Sequence, residues 1–174
     1  MNALIVYESM FGNTRKIVEA IADRLRAADV EVTVSLAYDA PADLSDYELV
    51  IVGAPTHAHS LPRPKSRSEA AVWAADPTKE LVLEPMAQAS GVREWLQRIM
   101  LVGDPRFAVF STRADIPSIF SGDAGKAISK GLRRRLARVE SHADFLVGLD
   151  NRLLEGEEMR AREWASELVP LPIA

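Results

Sequence analysis

Apolar runs of strand length alternate along this chain with stretches whose apolar residues recur at helical spacing. The alternation predicts an α/β protein, a parallel sheet held between two layers of helices. Two details support it. The run "ALIVY", Ala3 to Tyr7, is apolar without alternation, as expected of a strand covered on both faces. The segment "ESMFGNT", Glu8 to Thr14, then passes from that strand straight into a helix, the turn such sheets use. A chain of 174 residues, 48% of them hydrophobic, can close one core but hardly two, so residues 1–174 are expected to form one domain.

The first helix is read from about Gly12 to Ala28, where Ile17, Val18, Ile21, Leu25 and Ala28 share a face and Arg15, Lys16, Glu19, Asp23 and Arg26 take the other. "VEVTVSL", Val30 to Leu36, alternates with period two and reads as a half-exposed edge strand. Tyr47 to Gly53 is the third strand, and Val92, Trp95, Leu96, Ile99 and Met100 mark the next helix, before a fourth strand at Phe107 to Phe110. Ala124, Ala127, Ile128, Gly131, Leu132, Leu136 and Val139 form a further helical stripe. Ala143 to Val147 is the fifth strand, and Ala161, Trp164, Ala165 and Leu168 define the last helix. Trp73, Trp95 and Trp164 are assigned to core packing. One interval breaks the rhythm: residues 62–89 far exceed the roughly 2 to 6 residues usual for such connections. They are expected to form a loop or lid, with a short helix started by a capping box at Ser66 and Glu69 and running to Ala75.

Composition excludes several classes of function. With no cysteine, thiolate catalysis, disulfides, iron-sulfur clusters and cysteine zinc sites are ruled out, and a cytoplasmic setting fits best. A formal net charge of -4 argues against nucleic acid as the partner, and the basic block "KGLRRRLAR", Lys130 to Arg138, reads as a solvated helix face with Leu132 and Leu136 turned inward. "ALIVY" is too short to cross a bilayer and has no charged leader before it, so neither a membrane segment nor a targeting segment is expected.

At the corner between first strand and first helix, free backbone N–H groups and the positive end of the helix dipole favour an anion such as a phosphate. Ser9 and Thr14 add hydroxyls, Asn13 an amide, and Gly12 a backbone free to take a positive φ. No lysine stands among them, so a Walker nucleotide loop is absent, as is the three-glycine dinucleotide fingerprint. On this stretch alone, plain helix capping is the commoner role of such residues. The loop after the third strand, "GAPTHAHSLPRP", would border the same crevice in a sheet of this kind. His57 and His59 could suggest a metal pair, but no third ligand is apparent and no metal is expected.

"ESMFGNT" followed by "VGAPTHAHSLPRP", with "GVREWL" and "LEGEEMRAREWASEL" later, resembles the flavodoxin family, in particular its bacterial FMN-binding flavodoxin-like branch. The resemblance implies a three-layer α/β/α sandwich with a five-stranded parallel sheet ordered 2-1-3-4-5 and FMN at its carboxyl edge. It implies phosphate contacts from Ser9, Met10, Phe11, Gly12, Asn13 and Thr14, and ring contacts from Pro55, Thr56, His57, Ala58 and His59. Ser111, Thr112 and Arg113 match the third loop in position. Phe11 stands where many flavodoxins have a hydroxyl, and neither the second nor the third loop offers a tryptophan or tyrosine to stack on the ring, leaving His57, His59 or Phe120. A positive φ at Ala58 or His59, where the family often has glycine, would cost roughly 1 to 2 kcal/mol, which favours two-electron chemistry.

The function this implies is electron transfer between redox protein partners. A flavoenzyme that takes a hydride from NAD(P)H and reduces a quinone or similar acceptor is the alternative, and a non-redox interaction domain without FMN is a third. Arg63, Lys65, Arg67 and Arg113 are expected near the flavin rim, raising its potential, and the long segment leaves a homodimer open.

Overall fold

A computed structural model describes residues 1–169. The elements in chain order are β1 (Asn2–Tyr7), α1 (Asn13–Arg26), β2 (Glu31–Leu36), β3 (Leu49–Pro55), α2 (Pro64–Ala75), a 3-10 turn (Pro77–Lys79), α3 (Val92–Arg98), β4 (Arg106–Ala114), α4 (Ser118–Ser121), α5 (Ala124–Arg133), β5 (Val139–Val147) and α6 (Glu157–Glu167). All strand pairs are parallel and the sheet order is β2-β1-β3-β4-β5.

The continuous apolar run of β1 follows from its two covered faces. Ala3, Ile5 and Tyr7 pack with α1 and α6, while Leu4 and Val6 pack with α3 and α5 on the other side. On the first side Phe110, Phe145 and Trp164 meet edge to face with centroids 5.8 to 6.2 Å apart, each pair worth about 0.5–1.5 kcal/mol beyond its burial. On the second, Trp95 is fully buried and its indole N–H donates to the Pro41 carbonyl at 2.9 Å. β2 is an edge strand and stays half exposed, as its alternation predicts.

The structure corrects four expectations about where elements begin and end and what packs in the core. α5 ends at Arg133, so Leu136 lies beyond it with φ 65° and 95% exposure instead of facing inward. β5 begins at Val139, which belongs to the strand and not to the helical stripe. α2 starts at Pro64, so Ser66 is not its first cap; its hydroxyl instead accepts the Arg63 N–H at 2.8 Å from one turn inside the helix. Trp73 is 43% exposed and packs into no core.

Residues 62–89 are anchored at both ends. Arg67 on α2 is 2% exposed and lies between Glu8 (3.1 Å) and Glu94 (2.9 Å), and the Glu8 carboxylate also accepts the first amide of α3, from Val92, at 2.8 Å. Arg67 is therefore not a rim cation. Burial pushes the Glu8 carboxyl above its ordinary range despite Arg67. At the far end the Glu84 N–H donates to the Met10 carbonyl at 2.8 Å, and its carboxylate takes Arg15 at 3.2 Å. Among the described residues no helix is long and apolar enough to cross a membrane.

Candidate functional site

The carboxyl ends of β1, β3, β4 and β5 open on one crevice of about 560 Å³, within the usual size of small-molecule sites. Its first wall is the loop into α1, lined by Ser9, Met10, Phe11, Asn13 and Thr14. Gly12 takes φ 90° immediately before the helix, a conformation glycine adopts freely, and donates its own N–H to the Ser9 hydroxyl at 3.2 Å. The amides of Asn13 and Thr14, in the first turn of α1, find no acceptor among the described residues. The side chains are tied down: Asn13 donates to the Asn151 carbonyl at 2.8 Å, and Thr14 shares a buried bond of 2.8 Å with Thr112. The backbone, more than the side chains, is thus left to meet a ligand.

The second wall is Pro55, Thr56, His57 and Ala58. His57 N–H donates to the Ser60 carbonyl (2.9 Å) and Ser60 N–H returns to His57 (3.2 Å), closing a two-residue turn whose central residues, Ala58 and His59, have φ 48° and 67°. Both residues therefore occupy the left-handed region, not one of them. Gly122 clamps this turn: a Cβ there would stand 2.1 Å from the His59 carbonyl oxygen.

The third wall is Thr112, Arg113 and Ala114, joined to the second by the Thr56 N–H donating to the Thr112 carbonyl at 2.7 Å. Arg113 pairs with Asp144 at 3.1 Å, so its charge is largely answered. Three residues singled out from the sequence do not line the crevice. Gly12 is hidden behind its neighbours; His59 faces outward in its turn; Ser111, fully buried, bonds Asp144 at 2.7 Å. Phe120 is exposed and also lies outside the lining.

Two groups of lining residues escaped sequence reasoning. The end of β5 contributes Val147, and the loop after it Gly148, Leu149, Asp150 and Asn151. A turn cluster, "GLDN", directly following a strand was the signal, since every strand of a parallel sheet ends on the same edge. The long segment contributes Trp73, Lys79 and Leu81. The Trp73 ring lies 5.2 Å from His57 at 45°, so the aromatic wall missing from the second and third loops arrives from α2. Nothing local in the sequence marks that placement.

The electrostatics of the crevice centre on His57. Both its ring nitrogens are buried and neither has a hydrogen-bond partner among the described residues. Burial lowers its pKa from the ordinary 6.5, so it stands neutral near pH 7 with one donor and one acceptor unspent. Such orphan polar atoms are costly unless a ligand answers them.

Behind the third wall, Asp123, His142 and Asp144 bring ligating atoms within 4.8 Å of one another. Those atoms are already used: Asp144 accepts from Ser111 at 2.7 Å and from Arg113, Asp123 accepts from the Lys126 amide, and His142 lies 3.2 Å from Asp144. Burial raises the Asp144 pKa, but the bonds from His142, Ser111 and Arg113 outweigh it and hold the carboxyl well below its usual range. The cluster is a closed hydrogen-bond network.

An open parallel sheet with a crevice at the carboxyl ends of its strands, bordered by a helix amino terminus, is the arrangement in which α/β proteins of this kind bind ligands. Residues 4–65, which hold the first two walls, match the flavodoxin domain family. Solved structures extend the likeness in shape to nearly the whole chain. Flavodoxin 2 from Bacillus cereus is 22% identical with a TM-score of 0.64, over 97% of this chain and 100% of that one. Flavodoxin 1 from the same organism is 20% identical with a TM-score of 0.62, over 96% of each. The rubredoxin oxygen:oxidoreductase of Desulfovibrio gigas is 16% identical with a TM-score of 0.60, over 95% of this chain and 34% of that one. No curated protein matches the chain. The fold is flavodoxin-like: residues 4–65 match the flavodoxin domain model, and the solved flavodoxins share the architecture over nearly the whole chain.

Proposed function

We propose that this protein binds FMN in the crevice and carries electrons between redox proteins. The observation that supports this best is the meeting, across one cavity, of unsatisfied amides at the amino end of α1 with a wall of flat rings, His57 and Trp73. A ligand with an anionic end and a flat ring fits both, the anion on the amides and the ring against His57 and Trp73. FMN, when bound, supplies the redox-active ring.

The chain's own residues would hold and shelter it. The amides of Asn13 and Thr14, with the Ser9 hydroxyl, would take the phosphate without a neighbouring cation, because Arg15 is already paired with Glu84 and with Glu19 at 2.6 Å. Lys79 adds a positive charge to the crevice wall from the 3-10 turn. Trp73 and His57 would exclude water from one side of the ring, while Leu149, 92% exposed, forms an apolar lip where a redox partner could seat.

Titration of the purified protein with FMN tests the reading: flavin fluorescence should be quenched with one-to-one stoichiometry. Gly12→Val, which forces a β-branched residue to φ 90°, should weaken binding with the fold intact. A folded protein that leaves FMN fluorescence unchanged would overturn it.

One observation favours the NAD(P)H-dependent enzyme as a second reading: α2 brings Trp73 over the crevice, as a cover for a small substrate would. Anaerobic NADPH decides between the two. Rapid bleaching of bound flavin without an added reductase supports the enzyme, and an inert yellow protein reduced only by a protein donor supports the carrier.

A further inference from the structure

On α5 and its C-cap residue Arg134, the cations Lys126, Lys130, Arg133 and Arg134 recur at positions i, i+4, i+7 and i+8, which places them along one side of the helix. That side looks onto β5, and together with Glu140 and His142 it lines a groove of about 650 Å³ distinct from the crevice. Lys126 lies 3.7 Å from Asp123, but Lys130, Arg133 and Arg134 have no carboxylate within 4.0 Å among the described residues. Glu140, on the strand side, is taken up by Arg106 at 3.4 Å and Arg138 at 3.9 Å. His142 is held between Asp123 and Asp144. In a chain of net charge -4, unanswered positive charge is therefore concentrated in one groove.

β5 is the last strand of the sheet. Its second half is covered, since the Leu154 N–H donates to the Leu146 carbonyl at 3.0 Å and the Leu146 N–H donates to Glu157 at 2.8 Å. From Val139 to Ala143 the backbone makes no hydrogen bond beyond β4 among the described residues. The groove therefore joins an open strand edge to a stripe of cations. Each feature has a recognised binding mode: an open edge accepts an extended peptide as an added strand, and the stripe selects its charge.

We propose that this groove docks an extended, acidic segment of a protein partner, which would pair with β5 over Val139–Ala143 while its carboxylates meet Lys130, Arg133 and Arg134. A nucleic acid fits less well. The groove offers no phenylalanine, tyrosine or tryptophan on which a base could stack, its one imidazole, His142, is held between Asp123 and Asp144, and an open strand edge gives a nucleic acid no ladder to join. Cations beside an edge also serve simply to prevent strands of other copies from pairing there, and the test separates these roles. The proposal needs no cofactor and stands whether or not FMN binds.

The probe is a fluorescein-labelled dodecapeptide alternating glutamate and threonine, titrated with the full chain at low salt and followed by anisotropy. Binding is expected, and it should weaken steeply as salt rises. K130E/R133E/R134E should lose at least about tenfold in affinity and K130Q/R133Q/R134Q a smaller factor, whereas K16E/R26E/R152E, an equal change of net charge elsewhere, should bind like the parent. A peptide N-methylated at alternate residues should bind at least about fivefold more weakly, because it cannot complete the ladder. No binding by the parent would reduce the cations to guards of the edge and overturn the proposal. So would equal losses in both triple charge reversals, or tighter binding of a twelve-nucleotide oligothymidine than of the peptide.

Discussion

The turn at His57–Ser60 makes a quantitative test of how the crevice is built. Ala58 and His59 both sit at positive φ, 48° and 67°, where a Cβ costs roughly 1 to 2 kcal/mol per residue. In two-residue hairpins of this kind glycine is preferred at the second position. His59→Gly removes the cost at that position but loosens the unfolded chain by about 0.5–1 kcal/mol. The net expectation is a stabilisation of about 0.5–1 kcal/mol, or roughly 1–4 °C in Tm for a chain of this size. The His59 residue is exposed, so little packing is lost. His59→Ala is the control, because it deletes the imidazole and keeps the Cβ, and it should bring no gain. Urea unfolding followed by circular dichroism, with equal m-values, measures both. If the alanine variant is as stable as the glycine variant, the strain assigned to this turn is not there and Gly122 is not clamping an unfavourable backbone.

Three further outcomes follow from the same contacts. Trp73→Ala removes the aromatic wall without touching a core, so FMN affinity should fall about tenfold, roughly the worth of one stacked ring, while urea stability changes by less than about 0.5 kcal/mol. Arg67→Met leaves Glu8 buried without its cation and should destabilise by about 3–5 kcal/mol near pH 8 and by less near pH 5, where Glu8 can take up a proton; equal losses at both values would exclude a charge-burial origin. The hydrogen bond to Asp144, against the opposing effect of burial, raises the His142 pKa above 6.5, so its contribution is complete below 6.5 and is lost as pH rises through the higher native value. Stability of the parent should accordingly decline from about pH 6 to pH 9 more than that of His142→Gln, and parallel profiles would refute the assignment.

What the sequence determined by itself were the features written in local periodicity. A strand apolar on every residue is expected to be covered twice, so "ALIVY" reads as central and the alternating "VEVTVSL" as an edge, and the sheet order places them so. The first two walls of the crevice were legible for the same reason, since a strand, its turn and the following helix are contiguous. Tertiary structure decided what distant segments do to one another. The Lys130–Arg138 block looked like one helix because its leucines keep the period, yet the chain turns at Leu136 and leaves it exposed so that β5 can begin at Val139. Arg67 looked like a rim cation, but Glu8 and Glu94, far off in the chain, draw it under the lid. Trp73 was assigned to a core and instead faces His57 across the crevice, because the ion triad and the Glu84 contacts hold residues 62–89 against the site. Periodicity reports which face of an element avoids water. It carries no record of which other element will supply the cover, and that is where the second half of this crevice comes from.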